Sequence, residues 1–422
     1  MDERTIYRRK QIMLIAGGVL FFFTSMSKML IPGVLFGELQ VSLGYSAATL
    51  GTLGAVFMYS YAISQLAIGI FSDRYGGSRL LVGGGSAFAV GMILTALSSS
   101  AWLMGFSRGL TALGAGVVFL GLAKLLNDLF PKYFTMSLGI ALLVGYLGPA
   151  AGGVPITLMA EHANWRVALG VPAAISFLTV CVIVISSRGT FKAVQKGFSL
   201  APLFSILKSR QMWCLFGCSS VIFGGYYAML TTFGMKCLTD IVGFSTATAS
   251  TQITVQATLI AINCVLFNFV LMLVKNRRKV MVYGGSICAL AGGLLAYLTL
   301  KMELPRILIS ASFILITLPA GFFAIYSTIA KELASDENVG IAVAVLNFFA
   351  FVAIAFSGQI AALLLQKWES VSPKGETGYL YPAAAYEEIF LFLVFLGAFS
   401  LVCAFGFPET KDAKTQKEEV QS

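Results

Sequence analysis

The chain has 422 residues, of which 58% are hydrophobic and only 11% charged, with a mean hydropathy of +0.85. A water-soluble domain of this length needs far more polar surface, so a soluble enzyme or regulatory module is a poor fit. The formal net charge of +10 could suggest a nucleic-acid partner. The positive-inside rule of membrane proteins accounts for it better, and no nucleic acid is expected.

Apolar runs of about eighteen residues or more recur from end to end, each long enough to span a bilayer. Backbone in lipid must satisfy its own hydrogen bonds, so such runs predict helices rather than strands. The first, 12–35, follows Arg8-Arg9-Lys10. It exceeds a signal-peptide core and lacks a small-residue cleavage site, so it reads as a retained helix. The runs continue at 48–71, 79–99, 101–126, 134–160 and 165–186, then at 211–235, 246–273, 279–300, 304–330, 338–365 and 389–407. The expected fold is an all-α membrane protein of about twelve transmembrane helices in two pseudo-symmetric six-helix bundles. Placing the N-terminus in the cytoplasm gathers most of the 29 Lys and Arg residues on that side, so both termini are expected there. The basic segment 187–210 divides bundle 1–186 from bundle 211–407, and 408–422 is a cytoplasmic tail. The seven cysteines are scattered through apolar runs and read as small buried hydrophobes. No metal or cofactor is expected.

The halves look related. Gly44-Tyr45-Ser46-Ala47-Ala48-Thr49 matches Gly243-Phe244-Ser245-Thr246-Ala247-Thr248, and Val82-Gly83-Gly84-Gly85-Ser86 matches Val282-Tyr283-Gly284-Gly285-Ser286 at nearly the same offset. An internal repeat is how many transporters build alternating access around a midplane site.

After the second helix the chain reads Gly69-Ile70-Phe71-Ser72-Asp73-Arg74-Tyr75-Gly76-Gly77-Ser78-Arg79. This resembles the signature loop of the major facilitator superfamily, in spacing and in position between helices two and three. Asp73 can meet a cation or a helix N-terminus across the bundle interface. Arg74 and Arg79 supply counter-charge, and Gly69 and Gly76 belong to the same latch. Arg108-Gly109-Leu110-Thr111-Ala112-Leu113-Gly114 resembles the family's fourth-helix motif, with Ala112 where glycine is usual. Gly145-Tyr146-Leu147-Gly148-Pro149 resembles the fifth-helix motif of its antiporters, making Gly148 and Pro149 gating candidates. Pro408-Glu409-Thr410-Lys411 resembles the ending after helix twelve. In the second half the signature loop has decayed to Lys275-Asn276-Arg277-Arg278-Lys279.

All 19 acidic residues fall in loops or at helix ends, Asp240 among them, so no deep carboxylate is available for proton coupling or for a cationic drug. Lys236, at the end of helix seven, reads as an interface anchor. Two cations are embedded instead, Lys28 in helix one and Arg108 in helix four. The resemblance implies that both helices line a central cavity. There an anion would neutralise the pair, and the Arg fork suits carboxylate or phosphate. Both could also snorkel to the interface, and Arg108 could be structural, bonded to backbone carbonyls. The repeat offset carries Lys28 onto Tyr227. Tyr226, Tyr227, Tyr326 and Asn347 are further substrate candidates, with Tyr59, Tyr61 and Gln65 weaker ones.

The single helix-one cation and the run Tyr61 to Gln65 look like the superfamily's organic-anion branches, the organophosphate:phosphate antiporters and anion:cation symporters. Tyr227 stands where the organophosphate exchangers carry a basic residue. The expected function is secondary transport of a small organic anion, a sugar phosphate, sugar acid or carboxylate, in a bacterial inner membrane. A counter-anion or a proton would be the coupling partner. A drug or metabolite exporter of the same fold, or a transporter-like sensor that binds without flux, are the alternatives. No P-loop or nucleophile triad suggests an enzyme.

Overall fold

The computed structural model describes residues 3–190, 201–273, 278–334, 338–375 and 378–409. The middle of the expected linker, the decayed loop around Lys275 and Arg277, and the tail beyond Glu409 lie outside these residues.

Among the described residues eleven helical stretches are long and apolar enough to cross a membrane. In chain order they are α1 (Arg4–Val34), α2 (Ala47–Ala67), α3 (Tyr75–Leu97), α4 (Ala101–Leu129), α5 (Ser137–His162) and α6 (Trp165–Ser186) in the first half. The second half holds α7 (Arg210–Val242), α8 (Thr246–Leu273), α9 (Arg278–Lys301), α10 (Leu308–Leu333), α11 (Val339–Gln366) and α12 (Ala383–Ala404). The 28-residue helix α8 completes two six-helix bundles. A two-residue β-hairpin, Lys374–Gly375 with Gly378–Tyr379, sits between α11 and α12.

The repeated hexapeptide is one structural device used twice. Gly44 (φ 66°), closing the short helix Phe36–Leu43 that follows α1, and Gly243 (φ 79°), closing α7, take the left-handed conformation, which is easy only for glycine. Two residues on, Ser46 Oγ accepts from the Thr49 N–H at 3.1 Å and Ser245 Oγ from the Thr248 N–H at 3.2 Å. These serines cap the first turns of α2 and α8. Both preceding helices also widen into a π-helical turn, at Leu30–Val34 in α1 and Met229–Phe233 in α7.

Lipid supplies no hydrophobic drive between helices, so close approach depends on small residues. Gly84 and Gly91 of α3 face Gly114 and Thr111 of α4; a Cβ on Gly114 would run into the Phe88 backbone nitrogen. Gly145 lies against the Phe21 ring and Gly148 against the Phe22 carbonyl, which seats α5 on α1. Large apolar side chains such as Trp102, Phe395 and Val402 point outward, as a lipid-facing surface requires.

Hydrogen bonds join the bundles at the end far from the chain termini, here called the distal end. Thr157 Oγ1 donates to Ser250 Oγ at 2.9 Å, Gln40 Nε2 to the Tyr381 hydroxyl at 2.9 Å, and the Ala47 N–H to Glu369 Oε1 at 2.5 Å. At the other end, Lys10–Asp128 (2.9 Å) and Arg278–Glu332 (2.8 Å) each stay within one bundle.

Two expectations need correction. Helix α7 runs on past 235 to Val242, and this carries Asp240 and Lys236 into packed protein. Their side chains are 1% and 4% exposed and pair at 2.7 Å, so Lys236 is no interface anchor. Spaced i,i+4 on one helix, the two compensate each other's burial. Helix α12 begins at Ala383 rather than 389, so Glu387 and Glu388 lie in its first turns, near Lys301 and Lys367.

Candidate substrate-binding site

A chamber of about 170 Å³ lies between the bundles. Helix α1 contributes Ser25 and Lys28, α2 contributes Tyr61 and Gln65, α7 contributes Tyr227, and α11 contributes Asn347. The Lys28 ammonium sits over the Tyr61 ring, 4.2 Å from its centroid, and 5.3 Å from that of Phe351. The negative faces of these rings hold the charge without neutralising it. Among the described residues no carboxylate pairs with Lys28. The ion pairs found involve Lys10, Lys236, Arg278, Lys301 and Lys367, none of which lines the chamber.

Arg108 takes a different place. Its side chain is buried, with Nη1 donating to the Ser27 carbonyl at 2.9 Å and Nη2 to the Ile31 carbonyl at 2.7 Å. The guanidinium carbon lies 4.2 Å from the Phe57 ring centroid. The sequence explains the second acceptor. Pro32 has no N–H to give and forces the preceding residue out of helical conformation. Ile31 accordingly adopts φ −131°, ψ 126°, and the Leu35 N–H turns to the Leu30 carbonyl at 3.2 Å, leaving the Ile31 carbonyl without its usual helical partner. Arg108 supplies that missing donor with one prong of its fork and reaches the Ser27 carbonyl with the other. The expected pair of cations facing one chamber therefore separates: Lys28 lines the chamber, and Arg108 braces the helix that carries it.

Tyr227 and Asn347 line the chamber with Lys28, and so do the weaker candidates Tyr61 and Gln65. Tyr226 and Tyr326 are not among the lining residues: both are buried in the second bundle, Tyr226 edge-on to Tyr227 and Tyr326 beside Cys218. Adjacent helical residues diverge by about 100°, so the pair Tyr226-Tyr227 can present only one ring to the same space. Sequence reasoning missed Ser25 and the rings of Phe21, Phe119, Phe223 and Phe351, which also line the chamber. Helical spacing was the available signal. Phe351 is four residues after Asn347, Phe223 four before Tyr227, and Ser25 three before Lys28.

Of the gating candidates, Gly148 meets α1 as described and Pro149 reaches the chamber. Gly76 (φ 68°, ψ 154°) is the break between α2 and α3, a conformation that demands glycine. Its neighbour Gly77 lies on the α4 backbone at Gly121 and Leu125. Arg79 is exposed. Gly69, Asp73 and Arg74 belong to the helical stretch before Gly76, and the expected latch contact of Asp73 falls on side chains outside those described.

Two six-helix bundles enclosing a charged, aromatic-lined chamber define a polytopic membrane transport protein. The chain matches the Major Facilitator Superfamily over residues 17–357 and again over 235–422, and it belongs to that family. It is 28% identical over 198 residues to a gentisate transporter of Corynebacterium glutamicum, covering 43% of this chain and 44% of that one. It is 23% identical over 212 residues to a probable chloroplastic anion transporter of Oryza sativa, covering 44% of this chain and 39% of that one. The matched part thus spans less than half the length of these relatives. Among solved structures, a bacterial homologue of the human lysosomal transporter Spinster, inward-facing and unoccupied, superposes with a TM-score of 0.70 at 15% identity, over 96% of this chain and 98% of that one. The peptide transporter POT in complex with sulfate gives 0.73 at 13%, over 96% and 97%. At these identities the likeness establishes the fold.

Proposed function

We propose that this protein is a secondary transporter of small organic anions, working by alternating access in a cell inner membrane with both termini in the cytoplasm. The single observation that carries the reading is the Lys28 ammonium, held over two ring faces in a chamber between the bundles with no carboxylate partner among the described residues. A buried cation costs roughly 3 kcal/mol on insertion scales, so an uncompensated one calls for a negative ligand. The names of the two relatives above, an anion transporter and a gentisate transporter, agree with that chemistry.

In this reading Lys28 holds the anion, with Tyr227 and Asn347 bonding to it from the second bundle. Arg108 positions α1, and Tyr226 and Tyr326 back the site. The bundles 1–186 and 211–407 rock about the chamber, joined through 187–210. The distal hydrogen bonds close the outer side, and the loop of Gly69, Asp73, Arg74, Gly76 and Arg79 latches the cytoplasmic side in the opposite state. Gly148 and Pro149 let α5 slide on α1. Coupling is by exchange for a counter-anion or through a proton carried with the substrate.

Uptake of radiolabelled organic anions into proteoliposomes tests this, with Lys28→Ala as the control that should abolish it. The ring-lined chamber also suits a drug exporter. That reading requires Lys28→Ala to leave transport of neutral or cationic compounds intact.

A further inference from the structure

The lining of the chamber bears on which anion enters it. Six of its lining side chains are rings, Phe21, Tyr61, Phe119, Phe223, Tyr227 and Phe351, set beside aliphatic ones such as Leu142, Ile260 and Ile354. The rings come from α1, α2, α4, α7 and α11, so both bundles contribute. The chamber volume of about 170 Å³ compares with the roughly 150 Å³ of an engineered apolar cavity that admits one benzene molecule.

The charge is equally restrictive. Of the two embedded cations only Lys28 faces this space, because Arg108 is bonded to the Ser27 and Ile31 carbonyls. A phosphate monoester carries about −1.5 to −2 near neutral pH and would leave negative charge unmatched in a low-dielectric chamber. A carboxylate carries one charge, which Lys28 matches. A sugar acid would meet the charge condition but would set several hydroxyls against ring faces. The non-aromatic hydrogen-bonding side chains here are Ser25, Gln65 and Asn347.

We infer that the transported anion is a single-ring aromatic monocarboxylate, its carboxylate on Lys28 and its ring among the six aromatic side chains. This rests on the anion reading above and narrows it. Aromatic rings attract one another edge to face by about 0.5–1.5 kcal/mol beyond area burial. A flat ring therefore gains what a saturated ring of the same size and charge does not. Asn347 and Gln65 stand where they can pair with a ring hydroxyl, so hydroxybenzoates fit as well as benzoate.

The test is equilibrium binding to the purified wild-type protein of four matched probes: benzoate, cyclohexanecarboxylate, benzamide and glycerol 3-phosphate. Benzoate should bind about tenfold more tightly than cyclohexanecarboxylate, and more tightly than the other two. Lys28→Ala should remove benzoate binding, and Phe351→Leu should erase most of its advantage over the saturated acid. Equal or tighter binding of cyclohexanecarboxylate, or a preference for glycerol 3-phosphate, overturns the aromatic inference and leaves the anion reading standing. Binding of benzamide in preference to every acid overturns both. Failure of all four to bind overturns the inference, and flux of another anion would then decide the broader reading.

Discussion

Arg108 donates to the Ile31 carbonyl at 2.7 Å, at the point where Pro32 interrupts α1. Its second prong reaches Ser27 at 2.9 Å, the residue just before Lys28. One side chain of α4 thus repairs the broken turn that aims the chamber's cation. The two positive residues of the first bundle are placed differently: Lys28 lines the chamber, and Arg108 bonds to the backbone of the helix that carries it.

Arg108→Lys keeps the charge and loses the fork. A single ammonium cannot reproduce both bonds in their geometry, and each buried carbonyl left without a donor costs about 1–3 kcal/mol. The thermal midpoint of the purified protein should fall clearly. Anion affinity of the fraction that remains folded should change far less than in Lys28→Ala. A variant with unchanged melting and lost affinity would move Arg108 back into the ligand site.

Lys28 gives the opposite pattern. Lys28→Gln removes the charge from a site that already stands without a carboxylate partner, so the fold should be retained or slightly stabilised. A hydrogen bond to a charged group contributes about 1.5–3 kcal/mol, so anion affinity should drop roughly 10- to 100-fold. Lys28→Arg should keep part of the transport. Flux assays beside melting curves separate the two effects.

The spans were legible because the bilayer imposes length and apolarity on every helix, and the repeated Gly44–Thr49 and Gly243–Thr248 segments carry the two-fold design in the sequence itself. Lys28 was legible too, since a cation inside an apolar run needs a reason. What Arg108 bonds to was not: the Ile31 carbonyl is open to it because Pro32 breaks α1, and a break in one helix does not name the side chain that repairs it. Asp240 was misjudged for a related reason. Its burial follows from α7 running to Val242 and from contacts with Tyr381 and Tyr386, residues far away in sequence.

A pH effect is expected at the distal end. Burial and the neighbouring Glu161 raise the pKa of the Glu38 carboxyl above its ordinary value of 4.5. A raised carboxyl contributes stability that is full below the unfolded value and is lost as pH rises through the folded one. At neutral pH the ionised Glu38 therefore opposes the packed distal end. Glu38→Gln should raise the thermal midpoint at pH 7, with the gain shrinking as pH falls toward 4.5. A gain independent of pH would point to packing instead.

The Lys236–Asp240 pair anchors a chain of bonds that crosses between the bundles. Asp240 Oδ2 accepts from the Tyr381 N–H at 3.1 Å and from the Tyr386 hydroxyl at 2.9 Å. The Tyr381 hydroxyl donates to Glu369 at 3.2 Å and accepts from Gln40 of the first bundle at 2.9 Å. Asp240→Asn leaves the Lys236 charge buried with a neutral neighbour, and breaking such a pair costs about 3–5 kcal/mol. Because Tyr381 sits on the same carboxylate, the distal closure should loosen along with the fold. Thr246, which lines a cleft there with Lys236 and Glu38, offers a reporter. As Thr246→Cys it should react with a membrane-impermeant maleimide several times faster when Asp240 is also replaced by Asn. Removing both charges together, as Lys236→Met with Asp240→Leu, should recover much of the stability while the Tyr381 anchor stays lost. If the double variant is stable and labelling stays slow, the distal end is closed by packing alone and the ion pair has no part in gating.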